Sequence, residues 1–338
     1  MLVQKIPTGS HEEFEFPPDP LVGDLYGVSI TSLIRDMRKL MLAEGRMGLR
    51  ITKAIVTLSV LWLTIAMQVF LMFQFKRLVT SAAVHQIREM YSEYEVHMYN
   101  DNTELTGNGW HRGLPAYFEA SRFADLPEHV DKAFICSIPF SQPYFLICIL
   151  MVWTFTVVID MREIQFYMDL LLVRTDTITS VRDMLEENQE DHTVVLKGLT
   201  SNFKALLVFA IFLPRLLVDI VLLWLGCRWL CATASFADVL LNAIALEFIL
   251  LLKDLIYNAV VPRRNQWETS TMLIPHKRKS QASWGSYLGG FCWGLAVCAW
   301  VFVYVYKLQQ VLPDYRWDIH EVCETYIDQI TSLTAPAP

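Results

Sequence analysis

Five apolar runs of near-bilayer length constrain this chain more than any other feature. A helix that crosses the hydrocarbon core needs about 20 consecutive, mostly apolar residues. Ala54–Phe75, Phe140–Ile159, Ala205–Gly226, Val239–Val260 and Trp284–Tyr306 reach that length. The first, second and fifth carry no charge, whereas the third and fourth do. Composition agrees, with 54% hydrophobic and 19% charged residues, against about 45–50% and about 25% in soluble domains. The apolar excess is clumped into those runs rather than spread at helical or strand period. The expected fold class is therefore all-α: a polytopic helical membrane protein with about five transmembrane helices and helical extramembrane extensions.

Lysine and arginine near the helix ends orient such a chain, because they collect on the cytoplasmic side. Arg35, Arg38, Lys39, Arg46, Arg50 and Lys53 precede the first run. Arg263, Arg264, Lys277, Arg278 and Lys279 lie between the fourth and fifth, beside one acid, Glu268. Four spans separate the clusters, so both fit the cytoplasm. The expected order is a cytoplasmic N-terminal region (1–53), the first span (54–75), an extracellular or lumenal helical loop (76–139) and the second span (140–159). A cytoplasmic segment (160–204) leads to the third and fourth spans (205–226, 239–260). A basic cytoplasmic loop (261–283), the fifth span (284–306) and an outer amphipathic tail (307–338) complete it. The polar, acidic, Pro-rich N-terminus is not a signal peptide, so the first run is expected to act as an uncleaved anchor.

Local patterns refine this order. Val84, Ile87, Tyr91, Tyr94 and Met98 recur at helical spacing after Lys76-Arg77, which predicts that the first helix continues outside the bilayer. Asn102–Pro115, with three glycines and a proline, reads as a loop. Arg162–Glu187 carries helix formers and a broken apolar stripe, and Glu186–Asp191 an acidic turn. Leu33, Ile34, Met37 and Leu40 alternate with Arg35, Arg38 and Lys39. That pattern suits an interfacial basic helix on the inner leaflet or, equally, a helix packed in the bundle. Trp284, Tyr287, Tyr304 and Tyr306 bracket the fifth span as aromatic belts.

The third span contains Pro214, Arg215 and Asp219; the fourth contains Asn242, Glu247, Lys253, Asp254 and Asn258. A short link joins the two, so they are expected to run antiparallel as neighbours. At about 1.5 Å per residue, Asp219 and Glu247 lie level near the midplane, with Arg215 one turn below. Arg215 and Asp219 share a helix face and can pair, and Pro214 removes a backbone donor and kinks the helix. Glu247, Asp254 and Asn258 fall within about 20° of one another at 100° per residue and form a polar stripe. Lys253 and Asp254 lie near the interface and can snorkel. Each charge at the bilayer centre costs at least ~2.5–3.5 kcal/mol. Arg215, Asp219, Glu247, Asp254 and Asn258 therefore make either an ion path with a cation-favouring bias or an ion-pair network that locks two helices.

Small residues four apart (Gly285 and Gly289, Gly290 and Gly294) allow close helix approach, within the chain or between copies in a homo-oligomer. Cys136 lies just outside the second span, and the tail stripe Ile319, Val322, Cys323, Tyr326, Ile330 and Leu333 points Cys323 inward. A Cys136–Cys323 disulfide and two buried thiols are the alternatives. Motifs for hydrolases, metalloproteases, kinases and nucleotide binders are absent. Paired CxxC spacing and a basic, aromatic nucleic-acid surface are absent too. Neither an enzyme, a cofactor nor a nucleic-acid partner is expected; the partners are the lipid bilayer and small ions.

The segments VVLKGLTSNFKALLVFAIFLPRLLVDIVLLWLGCRW and SFADVLLNAIALEFILLLKDLIYNAVVP resemble a group of uncharacterised multi-pass membrane proteins of protists. The resemblance runs from about Val194 to the end of the fifth span and implies topology only. In layout alone the chain is similar to large-pore channels, from whose four-helix plan the fifth span departs. The leading expectation is a cation channel or transporter subunit. The alternative is a non-transporting scaffold or receptor-like protein whose intramembrane charges are structural.

Overall fold

The computed structural model describes residues 19–20, 23–42, 47–188, 193–274 and 284–334. Arg46, Lys277, Arg278 and Lys279 of the basic clusters lie outside the described residues, as do the side chains of Trp284, Tyr287 and Leu333 and the end of the acidic turn.

Strand β1 (Asp19–Pro20) leads into α1 (Leu25–Met41). Helix α2 (Met47–Gln74), a π-helical turn (Phe75–Thr80) and α3 (Ser81–Met98) follow as one 52-residue helix. The hairpin of β2 (Thr103–Leu105) and β3 (His111–Gly113), then α4 (Lys132–Ser137), precede α5 (Pro143–Met168), which ends in a π-turn at Asp169–Arg174. Four short strands come next: β4 (Asp176–Thr177), β5 (Leu185–Asn188), β6 (Thr193–Leu196) and β7 (Gly198–Leu199). Helix α6 (Ser201–Leu207), a π-turn (Val208–Phe212) and α7 (Leu213–Cys231) form the next long helix. Beyond it lie α8 (Phe236–Val260), α9 (Arg263–Ser270), β8 (Met272–Ile274), α10 (Trp284–Val303) with its π-turn Tyr304–Leu308, and α11 (Asp318–Thr334).

The fold is all-α with few strands. Among the described residues, four helices are long and apolar enough to cross a membrane: Met47–Met98, Pro143–Arg174, Ser201–Cys231 and Leu288–Leu308. Their apolar faces point away from the chain, with Leu63 and Phe209 each 69% exposed and Phe70, Ile159 and Phe291 also open. Stripes of that size do not stay bare in water, whereas hydrocarbon solvates them. The fourth apolar run forms α8, a regular 25-residue helix, but every eighteen-residue stretch of it carries at least three charged residues.

Two expectations are corrected here. The Arg162–Glu187 segment is helical only to Arg174, apart from a 3-10 turn at Val181–Met184; short strands follow, as at Thr193–Leu196, which is rich in β-branched residues and alternates half-buried with buried positions. Asn102–Pro115 is not an irregular loop, since Thr103–Leu105 pairs antiparallel with His111–Gly113. Around Pro214 the helix widens into the π-turn Val208–Phe212, as expected where a missing N–H and a ring clash break the regular ladder.

The chain divides into two compact units. The first comprises Met1–Thr64, Arg162–Arg215 and Lys253–Trp293. It contains a four-stranded sheet in the order β1-β8-β6-β5, in which β6 pairs parallel with β8 and antiparallel with β5. Helix α1 packs against α9 and is buried on all sides from Leu25 to Ile34. Two of its buried hydroxyls are satisfied locally: Ser29 Oγ donates to Leu25 O and Ser32 Oγ to Asp36 Oδ2. The stretch in which Met37 and Leu40 alternate with Arg35, Arg38 and Lys39 is half-buried.

The second unit comprises Ile65–Met161, Leu216–Leu252 and Gly294–Pro338. Val84, Ile87, Tyr91, Tyr94 and Met98 form its buried stripe on α3, each at most 3% exposed. A disulfide joins Cys136 of α4 to Cys323 of α11, with Cα atoms 5.2 Å apart. The approach to α11 is stitched on by Arg88, whose guanidinium donates to Val311 O and Gln310 O. Arg112 of β3 donates to Pro313 O and to Glu95 Oε2, the latter at 3.0 Å. Asp318, at the start of α11, accepts from Tyr91 and Tyr99 at 2.8 and 3.1 Å. Gln68 of α2 donates to Ile249 O of α8. Helix α5 sits so close to α7 that a Cβ on Gly226 would overlap the Trp153 ring. Tyr304 is buried against Trp224 and Trp300 rather than lying in an aromatic belt, because those rings offer it a packed site.

Candidate functional site: a buried charge cluster

The densest group of buried charges lies in the first unit and draws one residue from each of four helices or their caps. Asp24 is the N-cap of α1; its Oδ1 accepts from Gly27 N–H at 2.6 Å, as capping requires. Glu163 lies on α5, Arg215 on α7 and Lys253 on α8. Arg215 Nη2 donates to Glu163 Oε2 at 2.6 Å, and its Nη1 lies 3.7 Å from Asp24 Oδ2. Lys253 Nζ reaches the same two carboxylates, at 3.2 Å from Glu163 and 3.9 Å from Asp24. The Arg215 guanidinium also covers the Tyr26 ring at 4.4 Å, a cation–π contact.

Glu163, its side chain 23% exposed, forms the open edge of the group, while Asp24 is 2%, Arg215 3% and Lys253 8% exposed. Asp24 Oδ2 sees both cations only beyond hydrogen-bond distance. Burial therefore outweighs Arg215, Lys253 and the Gly27 hydrogen bond, and pushes its carboxyl up to about 6. Taking charges out of water is offset only by good mutual pairing, and Glu163 supplies it by holding both cations at close range.

The structure rearranges the residues chosen from sequence. Arg215 is in the cluster, and Asp219 is buried at 1% exposure further along α7. Glu247 and Asn258 are exposed and Asp254 half-buried, so the polar stripe of α8 turns away from the chain's own interior. Lys253, one position from that stripe, turns inward instead of snorkelling, because a helix rotates by about 100° per residue. Asp24 and Glu163 were not among the sequence candidates. Asp24 precedes a helical pattern in the manner of a cap, and Glu163 sits in a helix that continues past Ile159; those were the available signals.

Of the two readings of the α10 glycines, close packing within the chain is not found at three of them. A Cβ at Gly289, Gly290 or Gly294 would meet nothing within 4 Å, so the chain does not use that face for its own close packing. Gly285 belongs to α10, but its surroundings lie outside the described residues. Cys227 and Cys231 are buried free thiols. The chain matches no protein-family model, no curated protein and no solved structure.

Proposed function

We propose that this chain is a five-span membrane protein, with α8 spanning the membrane beside the four other long helices and the N-terminus cytoplasmic, acting as a receptor-like or scaffolding protein. The observation that carries this reading is the shared engagement of Arg215 and Lys253 by Asp24 and Glu163. Charges held in close ion pairs between helices fasten those helices together; a conducting path needs its charges hydrated. The disulfide-closed second unit and the small sheet of the first then supply the surfaces that meet partners.

In proteoliposomes, the wild type is expected to show cation flux no greater than protein-free vesicles. Glu163→Gln is expected to lower the melting temperature and leave flux at that level. A cation flux that Glu163→Gln or Glu247→Gln alters would overturn the proposal.

One observation favours a second reading, a cation path enclosed by several copies. Glu247 stands exposed in the middle of α8 among Leu240, Leu241, Ile244, Phe248 and Leu251, which are 45–63% exposed. A carboxylate facing lipid at that depth is costly, and a face shared with other copies would hydrate it. The same flux measurement decides between the two readings.

A further inference from the structure

A cationic cavity of about 360 Å³ adjoins the start of α2. Its wall takes Arg35 and Lys39 from α1, Arg50 and Lys53 from α2, and Arg264 from α9. Two carboxylates, Asp36 and Glu268, share that wall, so among the described residues five cations face two anions, a formal excess of three. Lys53 Nζ lies 2.9 Å from Glu268 and 3.9 Å from Asp36, and Glu268 also accepts from Arg264 Nε at 3.2 Å. Burial alone would raise the Glu268 carboxyl, but Lys53 and Arg35 outweigh it and hold the group below its usual value. Glu268 is thus held in its ionised form and engaged by its neighbours.

Backbone adds to side chains. The first turn of α2 contributes Leu49 and Arg50, and that of α9 contributes Arg264 and Asn265. The positive ends of two helix dipoles therefore border the same space, the arrangement that favours phosphate. The volume falls in the range of small-molecule sites, roughly 300–1,000 Å³. A phosphate monoester carries about −1.5 to −2 at neutral pH, so an excess of three charges is matched by two such groups rather than one.

The position narrows the source. Helix α2 carries no charge from Ala54, the residue after Lys53, to its end at Gln74, which puts the cavity at the polar end of a candidate span. Basic pockets at that level recognise anionic headgroups. Leu49, 69% exposed, joins the cations in the wall and offers an apolar contact that a purely soluble anion would not need.

We infer that this cavity binds a multiply phosphorylated anion, a phosphoinositide headgroup at the membrane surface, with Lys39, Arg50 and Arg264 among its contacts. The inference does not depend on whether the protein conducts ions.

The test uses the full chain in phosphatidylcholine nanodiscs, with a labelled short-chain phosphatidylinositol bisphosphate as probe and inositol hexakisphosphate as soluble competitor. Saturable binding is expected, weakened about tenfold (about 1.4 kcal/mol) in the Lys39→Gln/Arg50→Gln double variant. Arg264→Gln guards against misfolding, since that side chain is 86% exposed. It is expected to weaken binding severalfold at an unchanged melting temperature. Binding by the soluble competitor alone would uphold the phosphate site and move its source from lipid to solute. The inference is overturned if neither probe binds saturably, if both variants bind as tightly as wild type, or if phosphatidylserine at equal charge competes as well.

Discussion

Each unit of this molecule buries charge, and the two do so by different means. In the first, Asp24, Glu163, Arg215 and Lys253 depend on one another: Glu163 pairs closely with both cations, while Asp24 Oδ2 meets them only at 3.7 and 3.9 Å. In the second, Glu95 and Arg112 are 0% and 1% exposed and pair at 3.0 Å. Gly113 N–H donates to the other Glu95 oxygen, Arg112 rests over the Tyr91 ring, and two tyrosines donate to Asp318. Burial pushes the Asp318 carboxyl up as it does Asp24, but its phenol hydrogen bonds work against the shift. The second unit also has a covalent tie across 187 residues. Hydrogen bonds to Glu95 and Asp318 and a disulfide tie the second unit locally; mutual ion pairing makes a unit that fails when a single member is removed.

The largest expected effect follows from that dependence. Arg215→Gln leaves Asp24 and Glu163 to share Lys253, and removing one partner of a buried pair costs about 3–5 kcal/mol. Thermal unfolding in detergent or nanodiscs should show that loss; a cost below about 1 kcal/mol would mean that the cluster does not lock the first unit.

Replacing Cys136 and Cys323 with serine is expected to cost about 2–5 kcal/mol, as losing a native disulfide does. Hydrogen exchange should then rise in α4 and α11 and remain as in wild type in α1. Equal loosening of α1 would mean that the two units do not hold their charges independently.

The smallest effect is on pH dependence. Asp24 is raised from 3.8 to about 6 in the folded chain, so the folded state binds more protons than the unfolded one between those values. Its stabilising contribution is full below 3.8 and is lost as pH rises through about 6. Lowering pH from 7 to 5 should therefore add about 1 kcal/mol from this group, and Asp24→Asn should remove that increment. An unchanged pH response in Asp24→Asn would place the titration elsewhere.

Apolar run length determined the helices by itself. Enough consecutive apolar residues force a helix wherever lipid must solvate it, because the backbone can satisfy its hydrogen bonds only internally. Periodicity likewise marked the buried stripe of α3, whose five positions lie on one face whatever packs there. The pairing of charges was not legible in the same way. Sequence spacing brought Asp219 and Glu247 to notice as residues of one bilayer depth, with Arg215 one turn below, but depth does not give azimuth. The rotation of α8 turned Lys253 inward and Glu247 outward, a matter of which helix faces meet.

Asp24 and Glu163 lie about 190 and 50 positions from Arg215 along the chain, and no local rule links them. The same holds for the cationic cavity, where two basic clusters that had served only to orient the chain converge, Arg35, Lys39, Arg50 and Lys53 with Arg264. The strands after Arg174 were missed because two- to four-residue strands carry too little pattern and exist only by pairing with distant partners such as Met272–Ile274. What depends on solvent preference and local period was in the sequence. What depends on which surfaces touch was decided by the tertiary structure, because contacts between distant segments are selected by the packing of the whole chain.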